Sequence, residues 1–498
     1  MAGHTPGFEA AGASQRLRAF QPSRAHVNEM IAATGATVLA RARWLVRNNG
    51  YAANAADAWA AHAVGEGIKP NPEAKGRKRE QLLELWRYWT DEADADGRTD
   101  FYGLQRQVAH EVFVAGEVFL RFIPRPAPDL LAVPLQIQLV PSEMVPLDRS
   151  EDLPGGNAVR NGVEFDGQGR RVAYHVHRHH PGRGGGAFGA ASAAETARVP
   201  AEEMIHVFDA DEVGQLRGVS RLAPAVVKLF TLDAYDDAEL DRKKMAAMFT
   251  AFVQRAANDE QPEERSVPDS ANSGAAPAPM PLLPLTPGLI QRLGEGEEVT
   301  FSQPAESGSS FEPFQYRTLA QIAAAVRMPY AYVSGDMLKA NYSNSRTSLI
   351  DFRRRMQSFQ FSVLVHQLCR PIWHRWLATG DLSGALTLPA GRMARRRLRY
   401  AEWLPPRWDW IDPGRDSAAE IQQIRAGLKS RTQAIAERGY DPGQIDAEIA
   451  EDYARADALG LVLDTDGRKV SQAGLAQPQL PAPDPDAAPD SDTKDDAP

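Results

Sequence analysis

The sequence predicts an α+β fold, with helices at both ends and a mostly antiparallel sheet between them. Three observations lead there. Apolar residues recur at helical spacing from His26 to Val64 and again over 101–114. The period then drops to two in "EVFLRFIP" (117–124), "LQIQLVP" (135–141) and "MIHVF" (204–208). Beyond Arg217 helical spacing returns and governs most of the remaining chain.

Length and composition bound the reading. A chain of 498 residues is long enough for two to four domains, and 43% hydrophobic content supplies several cores. The net charge of −9 argues against a surface that clings to nucleic acid everywhere. Cys369 is the only cysteine, which excludes an internal disulfide and a cysteine zinc site. It lies in an apolar helical stretch and reads as a small buried hydrophobe. The opening "MAGHTPGFEAAGASQ" lacks the charged end and apolar run of a signal peptide. No apolar run approaches the roughly 18 residues of a membrane helix, so the expectation is a soluble, cytoplasmic protein.

The elements follow in order. Residues 1–25 are rich in Gly, Ala and Ser and are expected to be disordered. The Ala-rich run from His26 ends at Gly65, Gly67 and Pro70. Helices follow at 79–89 and 101–114. Residues 162–180 read as a hairpin turning at Gly167–Gly169, where glycines accept positive φ. Residues 182–196 read as a flexible glycine-rich tip. Arg217 to Arg255 reads as helix, with Leu222, Val226, Leu229 and Phe230 and later Met245, Met248, Phe249 and Phe252 at helical spacing. Seven prolines loosen 257–287, order returns over 287–301, and a helix at 313–327 stops at Pro329. Thr347 to Leu377 reads as a rod of roughly 45 Å. Leu349, Phe352, Met356, Phe359 and Val363 trace one apolar stripe on it, and Leu364, Leu368, Ile372 and Trp376 a shifted one. Pro371 is expected to bend it. Residues 391–417 are basic, then aromatic; helices resume at 417–428, 430–439 and 442–460. The acidic, proline-rich end beyond 465 reads as a solvated tail.

Catalytic signatures are missing from the sequence: there is no P-loop, G-x-S-x-G or H-E-x-x-H, and "GEGEE" (294–298) reads as a turn. His175, His177 and His179 share a strand face and could bind a metal, but no cysteine or carboxylate pair completes the set. In "DAYDDAELD" (233–241) the carboxylates could hold Mg²⁺ in a nuclease. On a helix, however, Asp233, Asp237 and Asp241 form a column that suits a solvated face better than a compact site. Lining a pore, such a face would repel phosphates. Arg353, Arg354 and Arg355, and the group Arg392, Arg395, Arg396, Arg397 and Arg399, could contact phosphates or the carboxylates of a neighbouring subunit. For 353–355 structural pairing is favoured, because consecutive residues diverge around a helix. Finally, "GDMLKANYSNSRTSLIDFRRR" (335–355) places a small polar loop ahead of the rod. Lys339, Asn341, Tyr342, Ser343, Asn344, Ser345 and Arg346 could touch phosphate or sugar without reading sequence. Equally, Asn341, Ser343 or Ser345 could simply cap the helix.

Several stretches carry a resemblance. They are "RWLVRNNGYAANAADAWAAHAVGEGIKP" (43–70), "AGEVFLRF" (115–122), "LQIQLVPSEMVP" (135–146), "GVEFDGQGRRVAYHV" (162–176), "HVFDADEVGQLRGVSRLAPAV" (206–226), "NYSNSRTSLIDFRRRMQSFQ" (341–360) and "PRWDWIDPGRDSAAEIQQIRAGLKSRTQAIAERG" (406–439). In this order the chain resembles the lambda-type family of tailed-phage portal proteins, over roughly residues 30–460. The resemblance implies a portal fold with wing, stem, clip and crown, assembled as a cyclic ring at one vertex of a phage head. On that basis 26–216 is wing, 217–256 a stem helix, 257–312 the clip and 313–329 a second stem helix. Residues 330–346 would be the channel loop, 347–412 the long wing helix and its return, 413–464 the crown and 465–498 a tail. The implied partners are further copies of the chain (a dozen), duplex DNA in the channel, the terminase large subunit, head-completion and tail connector proteins, and the capsid and scaffold proteins. No cofactor, membrane or catalytic activity is implied, and the implied locations are the virion vertex and, during assembly, the host cytoplasm. The rival readings are a metal-dependent nuclease, or another DNA-processing enzyme, and a non-portal head–tail adaptor.

Overall fold

The structure, a computed structural model of the chain, describes residues 18–126, 131–182, 195–247, 251–255, 297–301, 311–337, 342–406, 408, 413–438, 440–463, 465–466 and 468–469. The chain opens with α1 (Val27–Asn48), α2 (Gly50–Val64), β1 (Lys69–Pro72), α3 (Arg77–Glu92) and α4 (Phe101–Val114). Strands follow: β2 (Glu117–Pro124), β3 (Leu135–Val140), β4 (Glu151–Asp152), β5 (Ala158–Arg160), β6 (Val163–Phe165), β7 (Arg171–His177), β8 (Thr196–Pro200) and β9 (Met204–Phe208). Next come α5 (Val226–Ala247), β10 (Ala251–Arg255), β11 (Glu297–Phe301), α6 (Phe311–Ala325), α7 (Tyr330–Ser334), α8 (Tyr342–Phe359) and a π-helical segment, Gln360–Cys369. The chain closes with α9 (Arg370–Ser383), α10 (Arg392–Arg399), β12 (Ala401–Leu404), α11 (Pro413–Arg425), α12 (Arg431–Ala436) and α13 (Pro442–Ala458). The described residues are thus mixed α/β with open sheets, and they divide into two compact units: Met1–Gly67 with Glu80–Ala390, and Ile68–Arg79 with Gly391–Pro498.

In the larger unit the Ala-rich start forms two helices where the periodicity suggests one. Asn49 takes an extended conformation and its side chain accepts the Ala52 N–H at 3.1 Å, capping α2. The buried face of α2 is nearly all alanine, with Trp59, so α2 and α4 can lie close together. Trp86, Trp89, Phe101, Trp373 and Trp376 form an aromatic core with neighbouring centroids 4.8–5.5 Å apart. Trp89 donates its indole N–H to the Leu135 carbonyl at 2.7 Å, so this core also fixes β3.

Besides the two-stranded β10–β11 pair, two larger antiparallel sheets stand in this unit, one ordered β3-β2-β9 and one ordered β4-β5-β6-β7-β8. Phe119, Val140 and Met204 of the first meet Val163, Tyr174 and Val199 of the second in one buried cluster, as alternation of apolar side chains requires. The hairpin read at 162–180 is β6–β7, with Gly169 at φ +76° in its turn. Most of the glycine tip lies outside the described residues.

The long rod runs from Tyr342 to Ser383, and the two stripes read in the sequence bury Phe352, Met356, Phe359 and Val363, then Leu364, Leu368, Ile372 and Trp376. The one-residue offset between the stripes falls inside the π-helical segment, whose wider turns absorb an extra residue. Pro371 sits at the first turn of α9, just after that segment. Its ring crowds a preceding carbonyl, and the widened turns ahead of it make room.

Some expectations are corrected. Residues 217–225 are not helical, and 251–255, read as the end of a helix, form β10, which pairs antiparallel with β11. Most of 257–312 lies outside the described residues. In the smaller unit β1 pairs antiparallel with β12, from Lys69↔Leu404 to Pro72↔Ala401. The basic stretch before β12 is helix α10, which apolar periodicity misses because only Leu398 of its residues is buried. Helices α11–α13 follow; Glu420 of α11 pairs with Lys429 at 2.9 Å and with Arg438 on either side of α12, and Arg431 of α12 pairs with Asp446 of α13.

Candidate functional site: an anchored polar loop and an acidic helix face

The larger unit holds the approach to the polar loop at several points. Arg327, at φ +60°, stands in the left-handed region that a β-carbon disfavours. Its guanidinium pairs with Asp211 at 3.2 Å. Pro329 precedes the short α7, and Gly335, at φ +72°, ends it. Asn54 of α2 donates to the Tyr332 carbonyl at 2.9 Å and to that of Val333 at 3.3 Å, covering carbonyls at the helix end. Ser334 Oγ accepts the Asp336 N–H at 3.1 Å. On the far side, Phe352 of α8 packs on Tyr332 and His62, with centroids 5.4 Å away in each case. Burial, and then the charge of Arg353, hold the His62 imidazole below its ordinary pKa. Beside this joint lies a cleft of about 310 Å³ lined in part by Arg327, Pro329, Ser348, Asp351 and Arg355. Asp351 pairs with Arg355 at 2.7 Å.

The predicted loop residues divide. Lys339 and Asn341 lie outside the described residues. Tyr342, Ser343, Asn344 and Arg346 belong to α8, so the rod starts earlier than its apolar stripe suggests. Polar residues that read as loop can occupy a first helical turn, where N–H groups seek partners. Arg353 is half-buried while Arg354 and Arg355 are exposed, the divergence expected of consecutive helical residues.

The acidic column on α5 also divides. Asp233 is half-buried and accepts from Asn49 Nδ2 at 3.2 Å, which ties α5 to the break between α1 and α2. Asp237 and Asp241 are exposed, and Asp241 pairs with Lys244 at 3.1 Å. Asp236, next to Asp237, accepts from Gln315 of α6 at 3.2 Å, and burial raises its carboxyl above the ordinary range. Glu239 is buried and pairs with Arg242 at 2.6 Å. Among the described residues no group of three or more His, Cys, Asp or Glu could hold a metal ion. His175 is buried, 3.3 Å from Glu164, while His179 lies beyond the end of β7.

One constellation escaped the sequence reading. Glu117 on β2 is buried and bound by Arg217 Nη2 at 2.5 Å and Nε at 2.9 Å, by the Gly218 N–H at 2.7 Å and by Ser142 Oγ–H at 2.5 Å. Arg217 also donates to the Asn161 carbonyl at 2.6 Å and the Val145 carbonyl at 3.0 Å. Gly116 and Gly218 bring the two backbones too close for any β-carbon, so both positions require glycine. Burial alone would raise the Glu117 carboxyl, but the Arg217 charge and the His206 bond override it and hold it well below the carboxylate range. His206 Nε2 lies 2.8 Å from Glu117, between the rings of Phe119 and Phe208. Its buried Nδ1 has no hydrogen-bond partner, and burial lowers its pKa to about 4. A neutral ring leaves only an idle acceptor there, whereas a charged one would bury an unpaired N–H. Next along the chain Arg221 pairs with Asp209 and lies 4.4 Å over the Trp59 ring. The segment leading into α5 is therefore fixed to the sheet. The available signal was a lone Glu in the apolar run "AGEVFLRF".

Against known proteins, residues 13–360 match the family described as "Phage portal protein, lambda family". The probable portal protein of Halomonas phage phiHAP-1 is 27% identical over 441 residues, covering 85% of this chain and 81% of that protein. Portal protein B of Escherichia phage lambda is 24% identical, covering 94% and 92%. The portal protein of Escherichia phage N15 is 24% identical, covering 90% of each. Among solved structures, a neck of an empty GTA particle aligns with a TM-score of 0.45 at 16% identity, covering 82% of this chain and 94% of that one. The neck of a native GTA particle aligns with a TM-score of 0.44 at 16% identity, covering 80% and 92%. The family match spans well over half the chain, and with it the order of motifs from α1 to α8: the chain belongs to the lambda family of phage portal proteins.

Proposed function

We propose that copies of this chain close into a ring, expected at twelve, around a channel through which duplex DNA enters a phage head and later leaves it. The observation that carries this reading is the family match over residues 13–360. Local chemistry supports it. Lys339 and Asn341 fall in the polar sequence between α7 and α8, whose residue types suit weak contact with sugar and phosphate. Exposed Asp237 on α5 would help keep a passing phosphate chain from sticking, whereas Asp241 is already paired with Lys244. The chain itself acts without catalysis or cofactor. A terminase large subunit supplies the motor, and head-completion and tail connector proteins dock later. The capsid and scaffold proteins surround the ring at the virion vertex, after assembly in the host cytoplasm.

The test is DNA packaging into heads assembled with Lys339→Ala and Asn341→Ala together. Heads of normal composition holding less DNA are expected. Full packaging in heads that lack this chain altogether would overturn the proposal.

A further inference from the structure

We propose that the smaller unit carries a second, sequence-blind binding surface for duplex DNA, built on α10 and the segment after β1. This goes beyond the channel reading, which assigns DNA contact to the loop ahead of α8.

The register of β1 and β12 supplies the juxtaposition. Pro72 lies opposite Ala401, so residues 73–79 leave the ribbon at the same end at which 391–400 arrive. These two segments carry nine Lys or Arg and one acidic residue, Glu73, in a chain whose net charge is −9. Arg79 is fixed by Asp441 at 2.6 Å and by Asn71 Oδ1 at 2.9 Å, which holds the 73–79 segment to the unit. Lys75 and Arg77 remain exposed.

On α10, Arg392, Arg395, Arg396 and Arg399 stand at i, i+3, i+4 and i+7, hence on one helix face, and all are exposed. Arg397 flanks the row, and Leu398 turns inward. The row is about 10 Å long. Duplex DNA carries closely and regularly spaced phosphates, so a row of this length can meet neighbouring phosphates of one strand. A linear polyanion matches the regular spacing of such a row directly; a protein partner would have to present carboxylates at the same period.

The test is binding of the full chain to a fluorescein-labelled duplex of about 30 base pairs, over roughly 50–200 mM salt. Arg392→Gln, Arg396→Gln and Arg397→Gln together should make the dependence of log K on log salt shallower by about 2–3. Adding Lys75→Gln and Arg77→Gln should lower it by about 2 more. A charge-matched control at the exposed Arg41, Arg47 and Arg87 should leave it unchanged. A slope that stays the same in the α10 variant, with circular dichroism unaltered, would overturn the proposal. It would leave the row to carboxylates, from the acidic 465–498 segment or another copy of the chain. Solution mass separates the two claims. Rings whose slope ignores α10 would refute only this surface, whereas a DNA-binding chain that never forms rings would refute only the channel.

Discussion

Arg217 and the arginines of α10 use one side chain in opposite settings. Arg217 is fully buried and spends its donors on Glu117 and backbone carbonyls. The arginines of α10 stand exposed in a row, and the segments 73–79 and 391–400 carry one acidic residue between them. In the first setting the charge is internal and serves position: it fixes the chain entering α5 to strand β2. In the second the charge faces outward and serves encounter. Residue type alone does not separate a structural cation from a binding one; the local balance of carboxylates and burial does.

The largest expected effect is at the buried end. Arg217→Met strands Glu117 as an unpaired buried charge and should cost about 3–5 kcal/mol, read as a fall in the denaturant midpoint. Arg217→Met with Glu117→Leu should recover much of that, because the isolated charge is the damage. A single Arg217→Met variant as stable as the parent would erase the contrast with α10.

Acid is expected to act on the same cluster. Folding lowers the His206 pKa from 6.5 to about 4. Between those values the unfolded chain takes a proton that the fold refuses. Stability is therefore complete above 6.5 and falls as pH drops toward 4, by on the order of 3 kcal/mol. The lowered Glu117 carboxyl adds a loss of the same sign below 4.5. His206→Gln should flatten the upper part of that profile in pH-dependent unfolding.

A smaller effect belongs to Asn49→Ala, which removes the α2 cap and the Asp233 partner and should cost about 1 kcal/mol in the same assay. Smallest of all, Arg396→Gln on α10 should change stability by less than about 0.5 kcal/mol, while still changing the salt dependence of DNA binding.

What could be read from the sequence follows from how local each signal is. The β6–β7 hairpin and the paired stripes of the rod were legible, since a period of two or near four is written in neighbouring residues. The shift between the stripes, from Val363 to Leu364, was legible too, but that a π-helical segment makes it was not. Phe252 and its neighbours fit a helical period yet form β10, because pairing with β11, more than forty residues on, outweighs local spacing. Helix α10 was hidden for the opposite reason: with only Leu398 buried it has no apolar stripe. The Glu117–Arg217 pair joins positions a hundred residues apart, and one chain without its fold gives no sign of that meeting. The approach to the loop was legible as polar chemistry, but Asn54 and the left-handed Arg327 that hold it were not.

The most direct test of the central claim is negative-stain imaging of the purified chain together with its mass in solution, with and without chelator. Closed rings of high cyclic symmetry around a central hole, unchanged by chelator, are the predicted result. A compact monomer or dimer carrying stoichiometric metal would contradict the account and return attention to the His and Asp groups as an enzyme site.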